Sequence, residues 1–433
     1  MAIIINKKIY ALVDCNNFFV SCERVFNPKL RQVPVVVLTN NDGCIIARSN
    51  EAKALGIKMA EPFFKCRDYL EANNVKIFSP NFRLYGDMSH RVMSELESFC
   101  SKVEVYSIDE AFLDLSEQHI NDYHKWGQQL VDKVYKNIGI PVTVGIGANR
   151  TLAKIATEIA KHSPEMNGVL DLEGCHEKKI DEYLKKVEIQ DIWGIGRKYA
   201  VKLRSLGFYS AYDLKNADIG WIRKKLTVMG QRIVMELNGK ACRNIDDIRN
   251  TKKAIASTRS FGKYVTTKRE IAEAVSLYVA RAVEKLRRQK SRAESITLYI
   301  RTNPHKSGEQ YYSNSGTAQL EYPSSFTPDF VKLALKILDN VYVPGKKYKK
   351  AGVFLTGIVP ESVLQRKLFH KYDSDSVKIN DNLMKCLDTI NGAYGKRTLR
   401  LASEGFERRW YMKQNLLSKR FTSSWDELLV VGG

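Results

Sequence analysis

Two apolar stretches of the chain each lead into acidic residues. Lys7 to Val13 is a buried-strand pattern that ends at Asp14, and Tyr106 to Phe112 is a β-rich run that contains Asp109 and Glu110. The first pattern predicts a strand that carries a carboxylate at its end, and the second predicts two short strands meeting at a tight turn. Adjacent carboxylates among apolar residues repel each other and are costly to desolvate. The acidic pair therefore indicates either a solvated turn or a site for a divalent cation.

The chain between these stretches has the pattern of a small α/β unit. An Asn-Asn-Asp-Gly turn at residues 40–43 separates two apolar strands, which predicts a hairpin. The predicted strands are Pro34–Leu38 and Cys44–Ala47, and the predicted helices are Asn16–Val25, Glu51–Leu55 and Pro62–Asn73. Because this unit interrupts the two acidic stretches, we expect it to be an insertion carried by the domain that holds them.

Composition narrows the class of protein. The 433 residues suffice for about three domains at ~150 residues each, and no run is long and apolar enough to span a membrane. The formal charge of +21 favours a polyanionic partner, with nucleic acid ahead of a membrane surface; a solvated basic surface is the alternative. The eight cysteines form no Cys-x-x-Cys motif, which indicates reduced thiols in a cytosolic protein rather than a zinc site.

Two later segments have the features of nucleic-acid binding. Gly194-Ile195-Gly196 followed by Arg197 and Lys198 fits a helix-hairpin-helix, in which glycines let backbone N–H groups approach a phosphate at a helix N-terminus. Residues 252–358 hold 20 Lys or Arg against eight Asp or Glu, an excess of +12 that includes a cluster at Lys346, Lys347, Lys349 and Lys350. Predicted strands here are Thr258–Val265, Ser295–Arg301 and Gly352–Ile358, and predicted helices are Ala272–Gln289 and Asp329–Val341. We expect this segment to be the main electrostatic grip on DNA.

The motifs together resemble those of Y-family translesion DNA polymerases. In order they read D-C-N-N-F-F, P-V-V-V-L, I-I-A-R-S-N-E-A-K-A-L-G and Y-S-I-D-E-A-F-L-D, and N-N-D-G-C-I-I-A-R is closer to the bacterial UmuC-type branch. The resemblance implies an α+β multidomain, right-hand polymerase with palm, small fingers, helix-hairpin-helix thumb and α/β little finger. The implied domains are a palm at 1–18 and 84–186, fingers at 19–83, a thumb at 187–246, a little finger at 252–358 and a C-terminal extension at 359–433.

The same resemblance assigns the site residues. Asp14, Asp109 and Glu110 would hold two Mg²⁺ ions, helped by the main-chain carbonyl of Cys15, and Phe19 would be the steric gate that excludes a 2′-hydroxyl. Phe18 is expected to pack inward or against the sugar. The residues matched to triphosphate binding are Arg48, Asn50, Lys53 and Lys161. The family has a Tyr and an Arg where this chain has Asn50 and Lys53, so one hydrogen bond and a point charge replace a bidentate fork. Lys154, two helical turns before Lys161, is expected on a solvated helix face.

The tail is expected to dock partner proteins. Gln365, Leu368 and Phe369 match the Gln-x-x-Leu-Phe peptide that binds the bacterial sliding clamp, and the end of the chain resembles the extension that engages a UmuD-like subunit and the RecA filament. The substrates implied are primer-template DNA and deoxynucleoside triphosphates, in the cytoplasm and with no membrane partner. Two alternatives remain at this point, a stand-alone DinB-type polymerase and a non-catalytic scaffold that binds DNA and the clamp.

Overall fold

The computed structural model of the protein describes residues 8–242, 251–306, 308–363, 374–407 and 409–429. The described chain divides into two compact units. The first unit comprises the residues up to 242 together with those from 415 onward, and the second comprises residues 251–414. No helix in the described part of the chain combines the length and apolarity needed to cross a membrane.

The first unit is built on two sheets. A five-stranded sheet has the order β5-β6-β1-β7-β8 and a three-stranded sheet has the order β3-β2-β4. The strands are β1 (Tyr10–Cys15), β2 (Val35–Leu38), β3 (Ile45–Arg48), β4 (Lys76–Phe78), β5 (Val103–Val105), β6 (Glu110–Asp114), β7 (Val142–Gly147) and β8 (Val169–Asp171). β1 is central and pairs antiparallel with β6 and β7, so every one of its residues is buried.

The first unit also contains ten α-helices among its described residues. They are α1 (Phe18–Phe26), α2 (Asn50–Ala54), α3 (Phe63–Ala72), α4 (Phe82–Glu97), α5 (Tyr123–Ile138), α6 (Arg150–His162), α7 (Glu177–Lys186), α8 (Arg197–Arg204), α9 (Ala211–Lys215) and α10 (Ile219–Leu237). On one face of the large sheet, Ala11 and Val13 join a core with residues of α4 and α5. On the other face, Leu12 packs against Phe112 and Ala153 of α6. Because strand side chains alternate between faces, β1 contributes residues to the cores on both sides of the large sheet.

The predicted hairpin at residues 40–43 is confirmed. β2 and β3 pair antiparallel, and β4 joins β2 in parallel. The strands β5 and β6 likewise pair antiparallel around the acidic turn, as the β-rich run predicted. α3, the longest helix between residues 35 and 78, has 10 residues. β7 is followed directly by α6, the helix that carries Lys154 and Lys161.

The second unit is a four-stranded antiparallel sheet covered by helices. Its strand order is β11-β10-β12-β9. The elements are β9 (Ile255–Val265), α11 (Lys268–Arg288), β10 (Ser291–Arg301), β11 (Ser313–Ser324), α12 (Thr327–Val341), β12 (Tyr348–Pro360) and α13 (Ser374–Ala393). α11 and α12 bury their apolar residues against the sheet in one core. The sequence patterns did not identify β11 or α13, and they placed the starts of β9, α11 and β10 three to four residues late.

The C-terminal region is shared between the units. α13 is tied to the second unit by two ion pairs, since Arg287 holds both oxygens of Asp388 at 2.7 Å and Arg292 lies 2.6 Å from Asp381. Trp410 is buried in the same core. From residue 415 the chain belongs to the first unit, so residues after 360 form no compact unit of their own in the described chain.

Candidate active site

The two acidic stretches meet in the large sheet. Asp14 is the register partner of Glu110 on β6, and the Cys15 N–H donates to the Asp109 carbonyl at 2.8 Å. Asp14 is only 6% exposed, at the end of an otherwise apolar strand. Sheet pairing thus brings Asp14 and Glu110 together, as predicted from two segments almost 100 residues apart.

The alternation of side chains along β1 decides which of them face α6 and the other acidic residues. Tyr10, Leu12 and Asp14 share the α6 face of β1, while Cys15 points into the opposite core. Burial raises the pKa of the Cys15 thiol well above its ordinary value, with the Asp14 carboxylate as a smaller cause. Cys15 therefore presents only its main-chain carbonyl to chemistry, because its side chain is a neutral core group.

The helix α6 lies unusually close to the strands that it covers. A Cβ at Gly145 of β7 would come within 2.1 Å of the Thr157 backbone nitrogen, so only glycine allows this approach. The Thr157 hydroxyl also donates to the Leu12 carbonyl at 3.2 Å. This contact fixes α6 directly above the end of β1 that carries Asp14.

Two lysines of α6 neutralise the carboxylates. Lys161 Nζ lies 2.5 Å from Asp14, and Lys154 Nζ lies 2.9 and 3.0 Å from the two oxygens of Glu110. Lys154 also sits 5.0 Å above the Tyr106 ring, a cation–π distance. The expectation that Lys154 faces solvent is therefore wrong. The spacing of seven residues places both lysines on one helix face, and that face is the one that covers the acidic strand ends.

Burial of Asp14 beside Glu110 favours the presence of a positive charge between or next to the two carboxylates. It raises the pKa of Asp14 to about 7, opposed by Lys161 and reinforced by the neighbouring Glu110. Within the described ranges, no group of three or more His, Cys, Asp or Glu side chains is arranged to hold a metal ion as it stands. The donor chemistry nevertheless fits a hard divalent ion, because carboxylate oxygens are its preferred ligands. In this structure the two ammonium groups supply the countercharge.

Asp109 is held by a residue that the sequence reasoning did not single out. Ser107 donates its hydroxyl to the Asp109 carboxylate at 2.5 Å and accepts from the N–H groups of Asp109 and Glu110 at 3.2 and 3.0 Å. Serine hydroxyls in turns commonly form hydrogen bonds with nearby backbone N–H groups, so a serine within the predicted turn could have indicated this role. Ser107 thus shapes the turn that presents both acidic residues.

Phe19 belongs to an aromatic group at the start of α1. Its ring stacks on Tyr85 with centroids 4.6 Å apart and planes 17° apart, and it meets Phe82 edge-on at 6.1 Å. Phe18 is 3% exposed and packs inward, which is one of the two orientations expected for it. Asn17, between the site strand and α1, adopts a left-handed conformation that asparagine tolerates well.

The residues matched to triphosphate binding differ in the contacts that they already make within the protein. Arg48 donates to the Ile57 carbonyl within its own α/β unit, and Asn50 accepts from the Asn17 amide at 3.0 Å. Partial burial, followed by repulsion from Arg48 and Lys161, lowers the pKa of Lys53. The repulsion reflects the proximity of Arg48 and Lys161 to Lys53, and these three cations form a positive region beside Asp14.

The predicted DNA-contacting residues lie in both units. Gly194 has a φ of +95°, Gly196 caps α8, and Arg197 and Lys198 follow as exposed residues of its first turn. In the second unit, Lys346 and Lys347 pair with Gln310 at 3.4 Å and Glu309 at 3.2 Å. Lys349 is instead half-buried and donates to the Phe261 carbonyl at 2.8 Å, so it is less available to DNA. The clamp-motif residues Gln365, Leu368 and Phe369 fall outside the described residues.

Sequence comparisons place this architecture among known proteins. Residues 13–158 match the impB/mucB/samB family and residues 252–368 match the C-terminal domain of that family, while residues 381–431 match a domain of unknown function. Protein UmuC of Salmonella typhimurium is 40% identical over 98% of this chain and 100% of its own length. Protein MucB of Escherichia coli is 35% identical over 96% and 98%, and DNA polymerase IV of Clostridium acetobutylicum is 26% identical over 90% and 97%.

Solved structures share the fold. A Y-family DNA polymerase chimera of Dbh and Dpo4 superposes with a TM-score of 0.63, covering 81% of this chain and 99% of its own at 22% identity. An insertion ternary complex of Dbh DNA polymerase gives a TM-score of 0.53 with the same coverage and identity. The likeness confirms the predicted right-hand, α+β fold class.

Proposed function

Because the chain belongs to the impB/mucB/samB family, we propose that it is an error-prone translesion DNA polymerase acting in SOS mutagenesis. The observation that carries this proposal is the register of Asp14 against Glu110 beneath the lysine face of α6. A scaffold that only bound DNA and a clamp would gain nothing from buried carboxylates facing each other. The same pairing suits a primer 3′-hydroxyl and a triphosphate that react beside bound cations.

The site residues divide into two roles in this proposal. Asp14, Asp109 and Glu110, with the Cys15 carbonyl, would hold two Mg²⁺ ions, which would activate the attacking hydroxyl and stabilise the leaving pyrophosphate. Lys161, Lys53 and Arg48 would bind the triphosphate. Binding of metal and nucleotide would replace the ion pairs of Lys154 with Glu110 and of Lys161 with Asp14, and would leave the Lys161 ammonium free to pair with a phosphate.

The remaining assignments rest on sequence resemblance and on charge. Gly194, Gly196, Arg197 and Lys198 would contact template-primer phosphates without reading sequence, and the basic second unit would grip the duplex. A UmuD-like subunit and the RecA filament are the partners proposed for the tail, in a cytoplasmic enzyme. Residues 1–18 and 84–186 would form the palm, residues 19–83 the fingers and residues 187–246 the thumb, as the resemblance implies.

A primer-extension assay tests the function as a whole. The purified chain, with and without UmuD-like and RecA partners, is offered undamaged and lesion-containing templates and Mg²⁺. We expect incorporation opposite the lesion, and misincorporation on the undamaged template. Extension that is equally efficient without partners would favour the stand-alone DinB-type alternative, and absence of extension under every condition would favour the scaffold.

Phe19→Ala is expected to admit ribonucleotides. The ring is held against Tyr85 and beside Phe82, so its removal opens the space proposed for the 2′ side of the sugar. The measurement is the ratio of kcat/KM for a deoxynucleotide to that for the matching ribonucleotide. Phe63→Ala, which removes a ring from the start of α3 in the α/β unit, is the control. A ratio equal to that of the parent would place the gate at another residue.

Replacement of Gln365, Leu368 and Phe369 by alanine is expected to abolish clamp-stimulated synthesis. Two apolar anchors in a pocket supply most of the affinity of such peptides, and the glutamine fixes their orientation. Synthesis without the clamp should be unchanged, which serves as the internal control. If parent and triple variant bind the clamp equally in a pull-down, the motif is not the tether.

A further inference from the structure

Residues 415–421, termed here the returning segment, run along the first unit at the junction between its two sheets. The Ser79 N–H donates to the Leu416 carbonyl at 2.9 Å, and the Leu416 N–H donates back to the Ser79 hydroxyl at 2.9 Å. A parallel bridge joins Ser79 to Leu417, and the Asn415 N–H donates to Asp42 at 3.0 Å. The returning segment therefore adds a short strand pairing just after β4.

Buried side chains of the first unit complete the contact. Asn81, 3% exposed, donates its amide to the Ser418 hydroxyl at 3.0 Å and to the Lys419 carbonyl at 3.2 Å. The Phe421 ring lies flat on Phe26 at the end of α1, with centroids 4.9 Å apart and planes 4° apart. The backbone and amide contacts give hydrogen-bond partners to polar groups of the first unit, and the stacked rings add an apolar contact. Together these contacts define a specific docking site.

One hydrogen bond of the returning segment connects it to the aromatic group that contains Phe19. The Ser418 hydroxyl donates to Glu23 Oε1 at 3.0 Å, and the Tyr85 hydroxyl donates to the same oxygen at 2.7 Å. Glu23 and Tyr85 are 2% and 0% exposed. The other end of Tyr85 is the ring that stacks on Phe19. Ser418, Glu23, Tyr85 and Phe19 thus form a continuous chain of contacts.

We propose that the returning segment positions the Phe19 gate through Ser418, Glu23 and Tyr85, and so contributes to discrimination between sugars. This inference rests on the proposed polymerase function. A buried carboxylate needs its donors, so loss of the Ser418 hydroxyl leaves Glu23 with one side-chain donor and lets Tyr85 reorient. The stacked Phe19 ring follows Tyr85, and the wall against the 2′-hydroxyl loosens. Ser418 and Tyr85 act as positioning residues, since they touch the gate or its support rather than the substrate.

The test compares Ser418→Ala with Tyr85→Phe, which keeps the stacked ring but removes the hydroxyl. Both should lower the deoxy-to-ribo ratio of kcat/KM by roughly threefold to tenfold, the range expected for one lost buried hydrogen bond. Deoxynucleotide incorporation should stay near that of the parent. Ser418→Thr, which retains a hydroxyl, should restore the ratio, and Ser423→Ala, at an exposed serine five residues later, is the matched control.

Hydrogen exchange followed by mass spectrometry gives a readout that does not require activity. Ser418→Ala should speed exchange in α1 and in the first turns of α4, whereas the core of α11 in the second unit should exchange as in the parent. This comparison also separates a local effect from general unfolding. An unchanged sugar ratio in an active Ser418→Ala variant, or unchanged exchange in α1, would overturn the proposal. A parent that incorporates no nucleotide at all would reject the polymerase function and the sugar effect together, while the exchange result would still decide whether the contacts are coupled.

Discussion

Alanine at Asp109 or at Glu110 is expected to reduce nucleotide incorporation by at least about 10²–10³-fold, the usual effect of removing one preorganised electrostatic partner. The two changes act differently in detail. Glu110→Ala removes the partner of both Lys154 hydrogen bonds and the carboxylate opposite Asp14. Asp109→Ala leaves Ser107 with no carboxylate to hold. Either change should abolish metal-dependent chemistry while the DNA-binding surfaces stay intact.

The measurement pairs single-nucleotide incorporation with fluorescence-anisotropy binding of a labelled primer-template. Asp114→Asn is the matched control, because Asp114 is a buried carboxylate of the same strand β6 but pairs with Lys8 at 3.7 Å and caps the Ser116 N–H. That variant should incorporate nucleotides at a rate close to the parent. Near-normal incorporation by Asp109→Ala or Glu110→Ala would remove the basis of the metal assignment, and loss of DNA binding would indicate misfolding instead.

The second large effect concerns the basic second unit. Changing Lys346, Lys347 and Lys350 to alanine should flatten the dependence of log affinity on log salt by roughly one to three, since each neutralised phosphate contributes about 0.9. Lys349 is left in place because its bond to the Phe261 carbonyl supports the fold. The expected loss should be the same for two primer-templates of unrelated sequence, because contacts to phosphates carry no sequence information.

A charge-matched control distinguishes DNA binding by the lysine cluster from attraction by the net charge of the whole protein. Lys125, Lys133 and Lys136 lie on α5, which covers the face of the large sheet opposite to α6. Their replacement by alanine removes the same three charges and should leave the salt slope unchanged. If both triple variants flatten the slope equally, the field of the whole protein is what binds DNA. If neither does, the thumb or the tail provides the grip.

Much of the fold follows from local pattern. Apolar runs and turn residues identified the hairpin at 40–43 and the strands around Asp14 and Glu110, since β1, β2 and most of β6 are buried on both faces. β11 escaped notice because its residues are mostly exposed or half-exposed and rich in serine, which gives little apolar contrast. α13 was missed for a related reason, because polar residues of other elements, such as Arg287 and Arg292, hold it in place.

In the candidate site too, some residues could be predicted from nearby sequence, whereas others are brought in only by the tertiary structure. The carboxylates were identifiable because short motifs surround them, and the helical spacing put Lys154 and Lys161 on one face. How closely α6 can approach the strands depends on Gly145, because its missing Cβ leaves room for the helix backbone. The contacts of Ser418 with Glu23 and Asn81 join residues more than 300 positions apart, and no pattern within either segment encodes them.

The return of the chain at residue 415 makes the second unit an insertion within the first. The chain therefore leaves the first unit before residue 251 and rejoins it at Asn415. A single cut near residue 414 would break the covalent link between the second unit and the residues that follow it. The peptide released at its front end would nevertheless stay bound, because the contacts of Ser79 and Asn81 hold residues 415–421 on the first unit without help from the covalent chain.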